Sequence, residues 1–569
     1  MHVENVQFKR GIFQGDSLSP LLFILAINLL SLLLNRRCSG YQIDGLNVTH
    51  ILYMDDLKGF CKSYESLKNM INVCYKFSTD IGMSFGLSKC KVVNIVKGEY
   101  KKLGGISIDN EGGTIEELGE DEVYKYLGVD ELNRIKHDQM KEKIWAKAKG
   151  KLRKLLESQL NSKNLFEAIN ECMLPVITYS FGVVNWLEGE IKDLDVKIRK
   201  MLNMNRVFEL KSDVDRLYTP RKAGGRGLQS VWDAFRAALC RISHVLSKSN
   251  CILLGMCARA DKKCLFSIQK KAEKFAGDRD LKLPDSFEQK PVLSQARVIS
   301  GAVRDHILNE RMINWENKPQ HGAYMKLLTQ KGLNRKLSFA WMGKCHIDAH
   351  TESYICAAQE LALFTRYHEK HILKTRPDDR CRVCKQEAET IFHLLSGCGV
   401  LAKKEYFDRH NAVCQYVHQQ ILKAYSIPCD DNWVRHTPED VIIQPNVEVV
   451  YDQVLTTDRP TGANRPDILL RDKKQKKTFI IDVSCPCDTN VATKENEKVA
   501  KYSALKNELK RMWGGECIVA PVVIGCLGAA SNETKMHLEK IPASVKMTMC
   551  QKITICGSQK ILQSVLGRR

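Results

Sequence analysis

Long apolar runs are all but missing from this chain. The single one covers residues 18–34 and is interrupted by Asn28 and Ser31, whereas crossing a bilayer takes about 20 apolar residues. The following Asn35-Arg36-Arg37-Cys38 offers no small-residue site at which a secretory signal would be cut. The run reads as a buried helix with Ser19 as N-cap and Pro20 in its first turn, and the chain as soluble, with no membrane partner. Internal repeats are missing too, which argues against solenoid or propeller architectures. Acidic residues are in deficit: 66 Asp+Glu against 87 Lys+Arg leave a net charge of +21. With a pI near 9.1, that imbalance favours nucleic acid over a membrane surface as the polyanionic partner.

What is present is ordinary for globular protein. Hydrophobic residues make up 44% and charged residues 27% of the 569 residues, values that exclude a disordered tail protein. The length corresponds to roughly three to five domains. The 22 cysteines are scattered rather than packed into a short chain. That pattern suits a reducing compartment in which a few bind metal and the rest are buried.

Two early segments carry chemistry. In Arg10-Gly11-Ile12-Phe13-Gln14-Gly15-Asp16-Ser17-Leu18-Ser19-Pro20, glycines permit close approach of the backbone to a ligand, and the helix start behind them suits a phosphate. In Ile51-Leu52-Tyr53-Met54-Asp55-Asp56-Leu57, adjacent aspartates between strand-like runs belong in a tight hairpin. Either alone would pass for an ordinary turn. Their order and spacing are those of polymerase palm motifs.

Together these segments resemble a reverse transcriptase of the non-LTR retrotransposon type. Ile81-Gly82-Met83-Ser84-Phe85-Gly86-Leu87-Ser88-Lys89-Cys90 resembles the next palm motif, Tyr124-Lys125-Tyr126-Leu127-Gly128 the primer-grip region, and Tyr218-Thr219-Pro220-Arg221-Lys222-Ala223-Gly224-Gly225-Arg226-Gly227-Leu228 its continuation towards the thumb. The resemblance implies that Gln14, Gly15 and Tyr53 position nucleotide and template. It implies that Asp55 and Asp56, with a third carboxylate from an earlier strand, hold two Mg²⁺ (or Mn²⁺) about 3.5–4 Å apart. Residues 1–9 contain one acid, Glu4, and have no room for the fingers and that earlier strand. The expectation is an N-terminally truncated copy that does not polymerise alone, RNA-directed DNA synthesis belonging to the full-length form.

Residues 132–310 are helical in period, with Leu152, Leu155, Leu156, Leu160, Val196, Ile198 and Leu202 at helix-like steps and basic residues between. They read as a thumb gripping primer and template. Arg221, Lys222 and Arg226, set among glycines, are its candidate phosphate contacts, and residues 279–292 an exposed connection.

Cys381-x2-Cys384-x8-His393-x4-Cys398 supplies three thiolates and an imidazole, a full tetrahedral set for a structural Zn²⁺ at about 2.0–2.3 Å. Arg376, Arg380, Arg382 and Lys385 around it favour contact with nucleic acid. Arg409-His410-Asn411 resembles a further family segment, for which a structural role is the default.

Near the C-terminus, Arg465-Pro466-Asp467-Ile468-Leu469-Leu470-Arg471-Asp472 and Thr478-Phe479-Ile480-Ile481-Asp482-Val483-Ser484 read as a hairpin across a Lys-rich turn. It brings Asp467 near Asp482, a pair able to share Mg²⁺. This resembles the PD-(D/E)XK restriction-like fold, except that Ser484 stands where a lysine is usual. Residues 490–513 read as one amphipathic helix with Tyr502, Leu505, Leu509 and Met512 inward and Lys494, Lys498 and Lys501 along a face. In the restriction-like retrotransposon enzymes the lysine lies on this helix, which implicates Lys498 and Lys501, with Lys494 weaker. Residues 517–527 read as a buried strand, Asp452 as a third acid, and Cys485 and Cys487 as packing residues.

The expected fold is multidomain α+β: a partial reverse-transcriptase palm (1–131), helical thumb (132–310), helical linker (311–375), zinc knuckle (376–430) and restriction-like α/β nuclease (440–569). Target DNA and element RNA are the expected partners, and the nucleus the site of action after cytoplasmic synthesis. The alternative is a nucleic-acid-binding remnant without catalysis.

Overall fold

The structure, a computed structural model, describes residues 11, 15–83, 86–108, 113–120, 122–277, 281, 283–284 and 286–567. It divides into two compact units. One comprises Met1–Ala146, Val183–Asn185 and Ser249–Phe266; the other comprises Lys147–Gly182, Trp186–Lys248 and Ser267–Arg569.

In the first unit, α1 spans Ser19–Arg37. The capping role expected of Ser19 falls elsewhere: Ser19 is already helical, and the Leu18 N–H donates to Asp16 Oδ1 at 3.0 Å. Nor is α1 buried all round. Ile27, Leu30 and Leu34 pack on Met70, Cys74 and Phe77 of α2, Tyr64–Asp80. Leu18, Leu22, Leu25, Leu29 and Leu32, spaced by fours and threes, remain 46–59% exposed. An apolar sequence without a polar face has nothing else to turn outward. Among the described residues this is the one helix long and apolar enough to cross a membrane.

Between and after these helices the backbone makes antiparallel hairpins. They are β1/β2 (Tyr41–Ile43, Leu46–Val48), β3/β4 (His50–Tyr53, Asp56–Gly59), β5/β6 (Ile95–Val96, Glu99–Tyr100), β7/β8 (Ile106–Ser107, Thr114–Ile115) and β9/β10 (Tyr124–Tyr126, Val129–Glu131). Positive φ at Leu127 and Gly128 closes β9/β10 through a turn whose twist matches its strands.

The second unit begins with helices. Leu152, Ile198 and Leu202 are buried, while Leu160 faces solvent and Leu155, Leu156 and Val196 are half-buried. Arg311 bonds Asp215 and Asp233, and Lys318 bonds Asp213 and Asp215, so many charges here face inward pairs.

Its C-terminal sheet has the order β11 (Val441–Ile443), β12 (Val447–Tyr451), β13 (Ile468–Asp472), β14 (Lys477–Ser484), β15 (Glu516–Val523). Every pairing is antiparallel except β14 with β15. A parallel pair needs a crossover, and residues 490–513 supply it as two helices, Val491–Lys501 and Ser503–Trp513, rather than one. The break falls at Tyr502, fully buried and tied by its hydroxyl to Asp482 and the Arg465 carbonyl.

Strand alternation sorts the core. Phe479, Ile481 and Val483 face Val413, Val417 and Ile421 of the helix Glu405–Ala424. Leu469 and Ile480 face Tyr502, Leu505 and Leu509 on the other side. The expected strand through residue 527 stops at Val523, because the next residues fold over Asp488: its fully buried carboxylate accepts the N–H groups of Leu527 and Ala529 and the Tyr324 hydroxyl. One apolar cluster unites Trp315, Trp341, Ile355, Cys381, Leu395, Val523 and Leu562. It thus runs across the expected boundaries at 375 and 430.

Candidate functional site

In the first unit, β3 and β4 are joined through Met54 and Asp55, with Tyr53 paired to Asp56. Met54 sits at φ +53°, a conformation that costs a side-chain-bearing residue roughly 1–2 kcal/mol. The result is that Tyr53, Asp55 and Asp56 project together, all exposed. The β9/β10 hairpin is clamped alongside: Lys58 of β4 bonds Glu131 at 2.5 Å, and its ammonium lies 5.2 Å from the Tyr126 ring centre. Partial burial is the main cause that pushes the hydroxyls of Tyr124 and Tyr126 up, the Asp56 and Glu131 charges adding to it in both. Gly15 is exposed at φ +101°. Gln14 lies outside the described residues.

The residues 218–228 require a correction. Lys222 is exposed, but Arg226 is buried and Arg221 nearly so. Both guanidinium groups bond the buried carboxylate of Glu352, on the helix Ala349–Gln359, Arg226 through Nε at 2.6 Å, and Ser162 Oγ donates to the same carboxylate at 2.6 Å. Burial alone would raise Glu352, yet the two arginines hold it below the usual carboxylate range. Glycine is needed at 225 because a Cβ there would come within 2.1 Å of the Thr219 carbonyl oxygen. The glycines serve tight packing, and only Lys222 keeps its charge towards solvent.

Cys381, Cys384, His393 and Cys398 converge, their donor atoms all within 4.8 Å of one another. The turn is built for sulfur: the Val383 N–H donates to Cys381 Sγ at 3.4 Å, and Lys385 takes φ +62°. A π-helical turn, His393–Gly397, carries the imidazole, with Nε2 3.4 Å from Cys384 Sγ. Tyr406 braces the far side, donating to the His393 and Leu394 carbonyls and accepting the Cys398 N–H. Desolvation acts to raise Cys384, but the N–H groups of Gln386 and Glu387, with His393 and Cys381, bring its thiol down to about 6. Three sulfurs and an imidazole, two of the sulfurs fully buried, fit a tetrahedral Zn²⁺. Three of the four surrounding cations are already paired, Arg382 with the buried Glu389, Arg376 with Glu369 and Arg380 with Asp378, while Lys385 is exposed. Chelation should lower the melting temperature by at least about 5 °C, and Cys384→Ser should remove most of that response. Thermal scans with and without chelator that coincide for the unmutated chain would refute a bound ion here.

At one end of the C-terminal sheet, Ile468 pairs with Ile481, so the next position out sets Asp467 opposite Asp482. Asp482 is buried and receives Lys498 Nζ, the Tyr502 hydroxyl at 2.6 Å and, at 4.0 Å, Lys501 Nζ. Asp467 receives the Val483 N–H at 2.6 Å and faces His410 Nε2 at 3.1 Å. Burial would raise Asp467, but His410, the Val483 N–H and the Lys498 charge together hold it low. Burial would lower His410, and Asp467 raises it instead. The Tyr502 hydroxyl, pushed up by burial, feels both carboxylates. Two carboxylates meeting where two strands end, with a lysine acting on both, fit a hard divalent cation such as Mg²⁺.

Other candidates lie apart. Lys494 pairs with Glu497, and the exposed Asp452 carboxylate is taken by Arg465 rather than turned to Asp467. Tyr502 and His410 are the residues that sequence reasoning passed over. Tyr502 looked like packing; His410 carried only an unexplained segmental likeness.

Residues 2–130, which include the Asp55–Asp56 hairpin, match the family described as Reverse transcriptase (RNA-dependent DNA polymerase). Over 243 residues the chain is 24% identical to the Retrovirus-related Pol polyprotein from type-2 retrotransposable element R2DM of Drosophila melanogaster. That match takes in 42% of this chain and 22% of the fly protein's length. Residues 2–130 thus carry a reverse-transcriptase domain, and part of the chain is similar to a retrotransposon polyprotein.

Proposed function

We propose that this chain is a retrotransposon protein segment that nicks DNA at its C-terminal sheet, the nick's 3′-hydroxyl serving to prime RNA-directed DNA synthesis by the polymerase domain in the full-length form. The observation that carries the nicking is the pairing of Asp467 with Asp482 at the strand ends, with Lys498 and Tyr502 reaching in from the crossover helices.

Asp467 and Asp482 would hold Mg²⁺, which supplies charge neutralisation at a scissile phosphate and an activated water. Lys498 compensates the buried charge of Asp482 and is placed to hold a phosphate oxygen once DNA is seated. Tyr502 fixes the Asp482 carboxylate by donating to Oδ1. The Val483 N–H fixes Asp467 in the same way. Lys501, half-exposed and at the edge of the cluster, is suited to the DNA backbone. This arrangement supports a restriction-like nuclease whose lysine has moved from the Ser484 position to the following helix. The Cys381–Cys398 knuckle would brace it through the shared core, and Lys222 would offer a backbone contact. In the polymerase domain, Asp55 and Asp56 would hold Mg²⁺ beside the primer end.

Supercoiled plasmid incubated with the full chain and Mg²⁺ tests the reading. The expected product is open circular DNA. Binding without nicking would instead support a remnant that grips nucleic acid and cuts nothing.

A further inference from the structure

The His410 side of the carboxylate cluster contains something that Mg²⁺ chemistry does not use. Cys414 lies one helical turn after His410 on Glu405–Ala424, so the two project from the same face. Its sulfur is 3.7 Å from His410 Nδ1 and 3.8 Å from Nε2. Asp467 reaches the same imidazole from the sheet end at 3.1 Å. Nitrogen, sulfur and carboxylate oxygen all lie within 4.8 Å of one another. Donors bound tetrahedrally at about 2.0–2.3 Å stand roughly 3.3–3.8 Å apart, so the set is close to coordination spacing with small side-chain adjustments. Cys414 is buried, whereas the His410 and Asp467 side chains are 26% and 19% exposed, which leaves an approach from one side only. Asn411 Oδ1, 3.0 Å from His410 Nδ1, can orient the ring as the carbonyl partners of metal-bound histidines do.

We propose that His410, Cys414 and Asp467 form a second metal site, selective for a thiophilic divalent ion of the Zn²⁺ class and antagonistic to Mg²⁺ at the same carboxylate. The inference rests on the nuclease reading only for that antagonism; the site itself stands on the three donors. Thiolate and imidazole favour Zn²⁺ and Cd²⁺ over Mg²⁺, which prefers oxygen ligands. Binding exchanges two protons for the ion, that of the Cys414 thiol and the one His410 Nε2 shares with Asp467, and both leave to solvent. With Cys⁻ and Asp⁻ bound, the ion's two charges are balanced. Asp467 is then committed to the wrong metal, and nicking stops.

Cd²⁺ is the probe. The reduced, metal-free full chain is titrated against a competing chromophoric chelator, following the thiolate charge-transfer band in the ultraviolet. Cys414→Ser and His410→Gln should each lose one tightly held equivalent relative to the unmutated chain, the knuckle's equivalent persisting in both. Equal stoichiometry in all three chains would overturn the proposal. Should Cys414→Ser fail to fold by circular dichroism, His410→Gln, at a partly exposed position, decides. In the plasmid assay, Zn²⁺ should suppress Mg²⁺-driven nicking by the unmutated chain. A chain that nicks but shows no extra Cd²⁺ equivalent refutes the second site alone. One that never nicks yet loses an equivalent on substitution leaves the site standing and removes the nuclease reading.

Discussion

Asp482→Asn is expected to slow the proposed plasmid nicking by at least about a hundredfold, since several kcal/mol of transition-state stabilisation would rest on a metal held there and each 1.36 kcal/mol is tenfold in rate. The substitution keeps the shape and can still accept the Tyr502 hydroxyl, but it removes the charge that both Lys498 and a divalent ion need. Asp467→Asn should act comparably. Lys498→Met should also lose rate, for a different reason: Asp482 is left buried with only the more distant, half-exposed Lys501 to balance it. Lys535→Ala, at an exposed position of the helix Asn532–Lys540 where Lys535 pairs with Glu539, is the control that should nick as the unmutated chain does. The measurement is conversion of supercoiled to open circular plasmid at fixed Mg²⁺. A nicking rate unaltered by Asp482→Asn would remove the sheet-end cluster as the cutting site.

The second large effect is on stability. Glu352→Ala should cost about 3–5 kcal/mol, the usual result of stripping one partner from a buried ion pair. Here one carboxylate serves two arginines: Arg226 is 3% and Arg221 12% exposed at the side chain, so both charges would be stranded. Urea unfolding followed by tryptophan fluorescence should show the midpoint fall by more than about 1 M, Trp315 and Trp341 lying in the same unit. The pH dependence has a definite sign. The folded-state value of Glu352 lies below its ordinary 4.5, so its contribution is full above that value and is lost as pH falls through the depressed one. The unmutated chain and Glu352→Ala should therefore converge in stability on acidification below about 4.5. A midpoint difference that persists undiminished at low pH would contradict this account.

The local features were the readable ones. Asp55 and Asp56 are adjacent, β13 and β14 are separated by one short turn, and the knuckle's donors lie within 18 residues; such patterns are visible to a short window. Partners distant along the chain were not. Arg226 finds Glu352 126 residues away, and His410 finds Asp467 57 residues away. A basic residue among glycines looks the same on paper whether it meets a phosphate or a buried carboxylate. Residues 490–513 kept helical period throughout, so only the anchoring of the Tyr502 hydroxyl reveals the break. α1 misled because uniform apolarity carries no information about which side is covered.

The helix Met547–Leu566 contributes Cys550 and Ile553 to the layer beneath β14, and Ile555, Ile561 and Leu562 to the cluster that holds Cys381 and Cys398. It is a keel common to two compartments. A premature stop anywhere ahead of Met547 would unseat the sulfur turn and the carboxylate end of the sheet in one stroke. These 20 residues therefore tie the fates of two chemistries that share no donor atom.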